Sequence, residues 1–296
     1  MNFSKFVLKL KKMKSLFKSE TGKKEILSLY NQKLNELDID YTTQVIDTSY
    51  GKTNLIITGK ASNPPLIIIH GSNGCAPIGL ETYPNLSSKY QVFSIDVLAQ
   101  PNKSEGTRLN MKDDSYGIWM NEVIDVLGLN DVILVGFSFG GLVILKTLIN
   151  NGDKIKEVFM AAPAYIVNGN PIIALIKMFI PMKRYMKTQK PKYVEKFLFE
   201  IFTDRDEFAI QYLSKVFIHF DMDFTPMPVI TKKEAKLIDT PITLIAAKHD
   251  VIFPGKQMLK RAAKILPTVK KTVFLENSKH VQNRADNELI EALIMK

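Results

Sequence analysis

Ser138 stands in Gly136-Phe137-Ser138-Phe139-Gly140, a G-x-S-x-G pentapeptide. Two glycines at that spacing permit a tight turn that lifts the hydroxyl clear of whatever precedes it. A serine hydroxyl is a poor nucleophile near neutral pH until a positioned base takes its proton. Four histidines could serve: His70, His219, His249 and His280. When the serine comes first in the chain and the acid second, the base stands on the loop after the final strand. Only His280, in Phe274-Leu-Glu-Asn-Ser-Lys-His280, follows such a strand. The orienting carboxylate belongs on the loop after the penultimate strand. Asp250 stands there, in Lys248-His249-Asp250-Val-Ile-Phe-Pro254. A carboxylate so placed accepts the second imidazole N–H and stabilises the imidazolium. His70-Gly71-Ser72-Asn73-Gly74 supplies a glycine-rich loop whose backbone can aim an N–H at a substrate oxygen. Ser72 is the first choice of donor there and Asn73 the next. Phe139, directly after the nucleophile, supplies the second N–H. Asn73 of that loop, and Phe137 and Val251, neighbours of the nucleophile and the acid, are expected to touch substrate.

These residues need elements to carry them. Residues 131–136 read as a buried strand leading into the pentapeptide, and residues 141–148 read as an apolar helix after it. That strand–turn–helix context is what the motif requires. Residues 41–47 and 53–59 read as a hairpin turning at Tyr50-Gly51. Residues 65–70 have the pattern of a strand buried on both faces. Further strands are expected at 90–95, 156–162, 241–246 and 272–275. Helices are expected at 111–127, at 256–265 and from about residue 286. Strands alternating with helices imply an α/β fold, with a mostly parallel sheet covered by helices on both faces. The rhythm breaks between residues 165 and 238, where apolar residues recur at helical spacing among prolines. That block reads as a helical insertion. The expected organisation is a basic segment over 1–20, a core over 21–164 and 239–296, and the insertion over 165–238.

Composition narrows the functions. The chain has 296 residues, and its apolar and charged fractions, 46% and 24%, suit a folded globule. A single cysteine, Cys75, excludes an internal disulfide and a cysteine-held metal cluster. No metal is expected. The net charge is +10, but the first 24 residues hold eight lysines against one acid. The rest therefore carries only +3, too little for a nucleic-acid-binding face. In the first twenty residues Phe3, Phe6, Val7, Leu10, Met13 and Phe17 share one helical face. Packing on the chain's own domain is the expected role, and weak contact of residues 1–18 with a membrane surface is the alternative. No apolar run of about eighteen residues could form a spanning helix. A cytoplasmic protein, or one peripheral at the membrane, is expected.

With these residues in view, the chain resembles a serine carboxylesterase of the α/β-hydrolase superfamily. More narrowly, it resembles bacterial carboxylesterases of the naproxen-esterase type. The likeness runs from about Phe17-Lys-Ser-Glu20 to the C-terminus and includes Asp96-Val-Leu-Ala-Gln-Pro-Asn-Lys-Ser104. The superfamily usually carries D-x-x-G-x-G-x-S there; here Ala99 or Gln100, and Asn102, stand for the glycines. Lys279 replaces the glycine that commonly precedes the histidine. The resemblance implies an α/β-hydrolase fold and hydrolysis of carboxylic esters with no cofactor. It makes the insertion a lid. Met178, Met182 and Phe217 in that lid are expected to meet an apolar group of a small-molecule ester. A C–C bond hydrolase, an acyltransferase and a ligand-sensing relative are the alternatives on the same residues, and the oligomeric state is open.

Overall fold

A computed structural model describes residues 15–296. Most of the basic segment, residues 1–14, lies outside the described residues. The chain runs through α1 (Glu20–Glu36), the hairpin β1 (Tyr41–Thr48) and β2 (Gly51–Thr58), β3 (Pro65–Ile69), α2 (Ala76–Thr82), β4 (Gln91–Ile95), α3 (Ser115–Val126), β5 (Val132–Phe137), α4 (Phe139–Asn150) and β6 (Ile155–Ala161). Then come α5 (Pro171–Ala174), a π-helical turn (Leu175–Phe179), α6 (Ile180–Thr188), α7 (Pro191–Ile201), α8 (Glu207–His219) and α9 (Lys232–Ala235). The alternation resumes with β7 (Ile242–Ala247), α10 (Gly255–Ile265), β8 (Val269–Leu275) and α11 (Arg284–Ile294).

The strands form one eight-stranded sheet in the order β1-β2-β4-β3-β5-β6-β7-β8. The β1–β2 and β2–β4 pairs are antiparallel, and every pair from β4 to β8 is parallel. Side chains alternate across a strand, so a strand covered on both faces must be apolar at every position. In β3, Ile67 and Ile69 enter one core cluster with Leu134, Trp119 and the buried residues of α4 and α10. Leu66 and Ile68 enter the other, with Ile26, Tyr30 and Leu34 of α1 and the buried residues of α6, α7, α8 and α11. Truncating a fully buried side chain such as Ile67 to alanine costs about 2–5 kcal/mol.

The hairpin, the parallel core and the helical block between β6 and β7 match the reading of the sequence. Helices α1 and α2 were not expected. The α3 helix begins at Ser115 rather than near 111, because Asp113 Oδ1 accepts the Ser115 N–H at 2.9 Å and turns the chain first. The β8 strand begins at Val269, three residues earlier than expected; Lys270 and Lys271 are exposed on this edge strand and mask its pattern. Cys75 caps the N-terminal end of α2 and is fully buried. Residues 15–18 run beside residues 219–221 at the exit of α8: Phe17 bridges Phe220, Lys18 donates to His219 O at 2.8 Å, and Asp221 donates to Leu16 O at 2.8 Å.

Candidate active site

Ser138 sits between β5 and α4 with φ 53° and ψ −113°, a conformation few non-glycine residues adopt. The surroundings impose it. A Cβ at Gly140 would come within 2.2 Å of Ile69 O, and one at Gly136 within 2.5 Å of the Ile144 side chain. The Ser138 N–H donates to Ala161 O at 3.0 Å, while Ser138 O accepts from Gly141 and Ala164 at 2.9 Å each. The turn is held from both sides, which is how a strained residue persists.

The loops after β7 and β8 bring two side chains to this turn. His280 Nε2 lies 2.9 Å from Ser138 Oγ. His280 Nδ1 lies 2.8 Å from Asp250 Oδ2. The other oxygen of Asp250 accepts the N–H groups of Ile252 at 2.7 Å and Phe253 at 2.9 Å. All three side chains are buried. The imidazole packs between the rings of Phe137 and Phe253, at 5.1 and 5.5 Å between centroids. An imidazole with an acidic partner on Nδ1 presents Nε2 to the serine as the proton acceptor.

The loop carrying His280 is stitched to the end of α7. Thr203 Oγ1 accepts the Lys279 N–H at 3.0 Å and donates to Val281 O at 2.7 Å. The Thr203 N–H also reaches Val281 O at 3.0 Å, and Val281 donates to Ile201 O at 2.8 Å. One hydroxyl thus holds both neighbours of His280. The Lys279 ammonium turns away from the imidazole: it donates to Phe199 O and stands 3.9 Å from the Phe199 ring centroid.

The Ser72 and Phe139 N–H groups make no hydrogen bond to another described residue. The Asn73 N–H is taken, donating to Gln100 Oε1 at 2.7 Å, which leaves Ser72 as the available donor of that loop. Ser72 and Phe139 line a cavity of about 30 Å³ together with Asn73, Gln100, Arg108, Tyr116, Met227 and others. Its wall mixes polar and apolar groups. Of the six residues expected to touch substrate, Asn73 alone lines it. Met182 and Phe217 are buried instead within the insertion's own packing, where the Phe217 ring meets Tyr185 and Phe197. Met178 and Val251 are half-buried at the edge of that cluster, and Phe137 lies against His280. Gln100, Arg108 and Thr203 were missed as parts of the site. Their contacts join positions far apart in sequence and leave no local signature.

The other histidines serve elsewhere. His219 lies 3.7 Å from Glu25. His70 is buried, and burial pushes it down to about 4. Its Nδ1 donates to Gly71 O at 2.7 Å, and its Nε2 accepts the Val97 N–H at 3.1 Å. Next to it, Asp96 accepts from Tyr30, Asn54 and Ala76 at 2.8–3.0 Å. Burial raises its carboxyl to about 6, against the pull of those hydrogen bonds. Ala99, one of the residues standing for a glycine in this loop, has φ 56°, and Asn102 donates to Val97 O at 2.9 Å. Among the described residues no group of three or more His, Cys, Asp or Glu gathers to hold a metal, and no helix is long and apolar enough to cross a membrane.

Residues 64–214 match the family model of the α/β hydrolase fold. An uncharacterized carboxylesterase of Bacillus subtilis (strain 168) is 24% identical over 283 residues, with 90% of each chain covered. The carboxylesterase YbfK of the same organism is 21% identical over 281 residues, again with 90% of each covered. The crystal structure of naproxen esterase (carboxylesterase NP) from Bacillus subtilis superposes with a TM-score of 0.79 at 23% identity, covering 92% of this chain and 96% of that one.

Proposed function

The chain belongs to the α/β hydrolase fold family, and from that premise we propose that it is a serine-dependent hydrolase of carboxylic esters. One observation carries the reading: Ser138 Oγ, His280 and Asp250 form an unbroken hydrogen-bonded line, with 2.9 and 2.8 Å between successive partners. Ser138 Oγ attacks the ester carbonyl as its proton passes to His280 Nε2. The Phe139 and Ser72 N–H groups receive the oxyanion. The intermediate collapses to an acyl-Ser138, and the departing alcohol takes the proton from His280. Water then attacks the acyl-enzyme, giving its proton to His280, and collapse releases the acid as His280 returns that proton to Ser138 Oγ. Every proton is handed on by a group of this chain, so the scheme needs no metal or organic cofactor.

Residues 165–238 act in this reading as a lid over the core. Met227 of the insertion lines the cavity beside Ser72 and Phe139. The apolar parts of the wall, Met111, Tyr116, Phe139 and Met227, favour a substrate with an apolar group. Lys279, whose charge is engaged at Phe199, gives no support to a ligand sensor with an impaired base.

A serine-directed fluorophosphonate tests the reading. It should label Ser138 alone in the full chain. Ser138→Ala should fold normally, take no label and lose aryl-ester turnover, by about a million-fold if the three groups act as a unit. Near-wild-type turnover by purified Ser138→Ala would remove the assignment.

A further inference from the structure

The first turns of the insertion carry an apolar ridge that the fold leaves uncovered. From Pro171 to Phe179 no residue is buried. Ile172, Ile173, Leu175, Ile176, Phe179 and Ile180 all stay exposed, Ile172 at 64% and Ile176 at 56%. Single exposed apolar side chains are ordinary, but six within nine residues make a patch, and such patches mark interaction sites. Charge surrounds it. Seven lysines and arginines between residues 171 and 201 are all exposed, against two acids, Glu195 and Glu200. Glu200 is engaged by Lys177 at 2.9 Å. The Lys183 ammonium stands 5.2 Å from the Phe179 ring centroid and 5.1 Å from that of Phe224, so cations lie against the apolar side chains themselves.

Charge decides what the ridge fits. A second copy would bring the same cations to the contact and be repelled. An anionic lipid surface accepts apolar side chains at its acyl boundary and lysines at its headgroups. We propose that this ridge docks the protein on an anionic lipid surface. The place is apt. Phe179 packs edge-on against Phe224 at 5.7 Å, and Asp223 and Met227 line the cavity beside Ser72 and Phe139. A docked molecule holds that rim against the lipid. The docking does not depend on hydrolysis, so its success or failure is separate from that of the esterase reading.

The test is sedimentation of the full chain with phosphatidylglycerol-rich vesicles and with pure phosphatidylcholine vesicles, at low and high salt. Binding is expected to the anionic vesicles and to weaken with salt. The Ile172→Asn/Ile176→Asn double variant should bind roughly tenfold or more weakly, since two side chains lose their apolar transfer, while its melting temperature stays that of the wild type. Deletion of residues 1–14 should leave most of the binding. No sedimentation of the wild type would overturn the proposal. So would a double variant that binds like the wild type, or loss of all binding on deleting residues 1–14. A lipid-free dimer that the double variant splits would also overturn it, giving the ridge to a second copy.

Discussion

Asp96 and His70 are neighbouring buried groups, shifted by burial in opposite directions. Asp96 is raised to about 6 by burial, so its contribution to stability is present below the unfolded carboxyl range and is lost as pH rises through 6. His70 is depressed to about 4 by burial, so its contribution is present above the unfolded histidine range and is lost as pH falls toward 4. Between roughly pH 4 and 6 the two slopes oppose, each up to about 1.4 kcal/mol per pH unit. Asp96→Asn removes one of them. Its stability should fall more steeply on acidification through that window than the wild type's, whatever its loss at neutral pH. Urea unfolding at several pH values reads the slopes, and parallel curves would reject the raised Asp96 titration. None of this was legible in the sequence, where Asp96 stood out only as the start of an altered loop. Ser138, His280 and Asp250 were legible, because each follows a strand whose apolar run is visible in the sequence.

The loop bearing His280 and the end of α7 work as one piece. Thr203 Oγ1 bridges the backbone on both sides of His280, although 76 positions separate Thr203 from Lys279. Thr203→Val keeps the shape and removes the hydroxyl. Leaving the Lys279 N–H without its acceptor costs about 1–3 kcal/mol, and displacing a catalytic group by an ångström costs about a hundredfold in rate. The expected result is a kcat lower by about ten- to a hundredfold with KM near the wild-type value, and recovery in Thr203→Ser. An equal loss in both variants would mean that packing of the threonine methyl, not the clamp, is what matters. Sequence periodicity identified the insertion but could not assign its faces. Its helices pack on one another and on α1, so Met182 and Phe217, chosen by residue type, are interior. The α2 helix hid for another reason: seven residues after a glycine loop, beginning Ala-Pro, are too few to establish a period.

At the scale of the whole molecule, charge had pointed to the N-terminal segment, and the structure draws attention to the insertion as well. The basic residues from Lys177 to Lys196 are visible in the sequence; that the isoleucines beside them stay exposed is shown only by burial. Burial also governs the single thiol. Cys75 is enclosed in the core, and burial pushes its thiol above the ordinary cysteine range. A thiol reagent reacts with the thiolate, so it must wait for the chain to open. Labelling by a small maleimide should therefore be negligible in buffer and should follow the unfolding transition in urea, with one adduct per chain. Fast labelling of the native protein would contradict the burial. The chain thus carries an intrinsic clock for its own opening events, and the same silence frees any cysteine introduced on the surface to take a spectroscopic probe without competition.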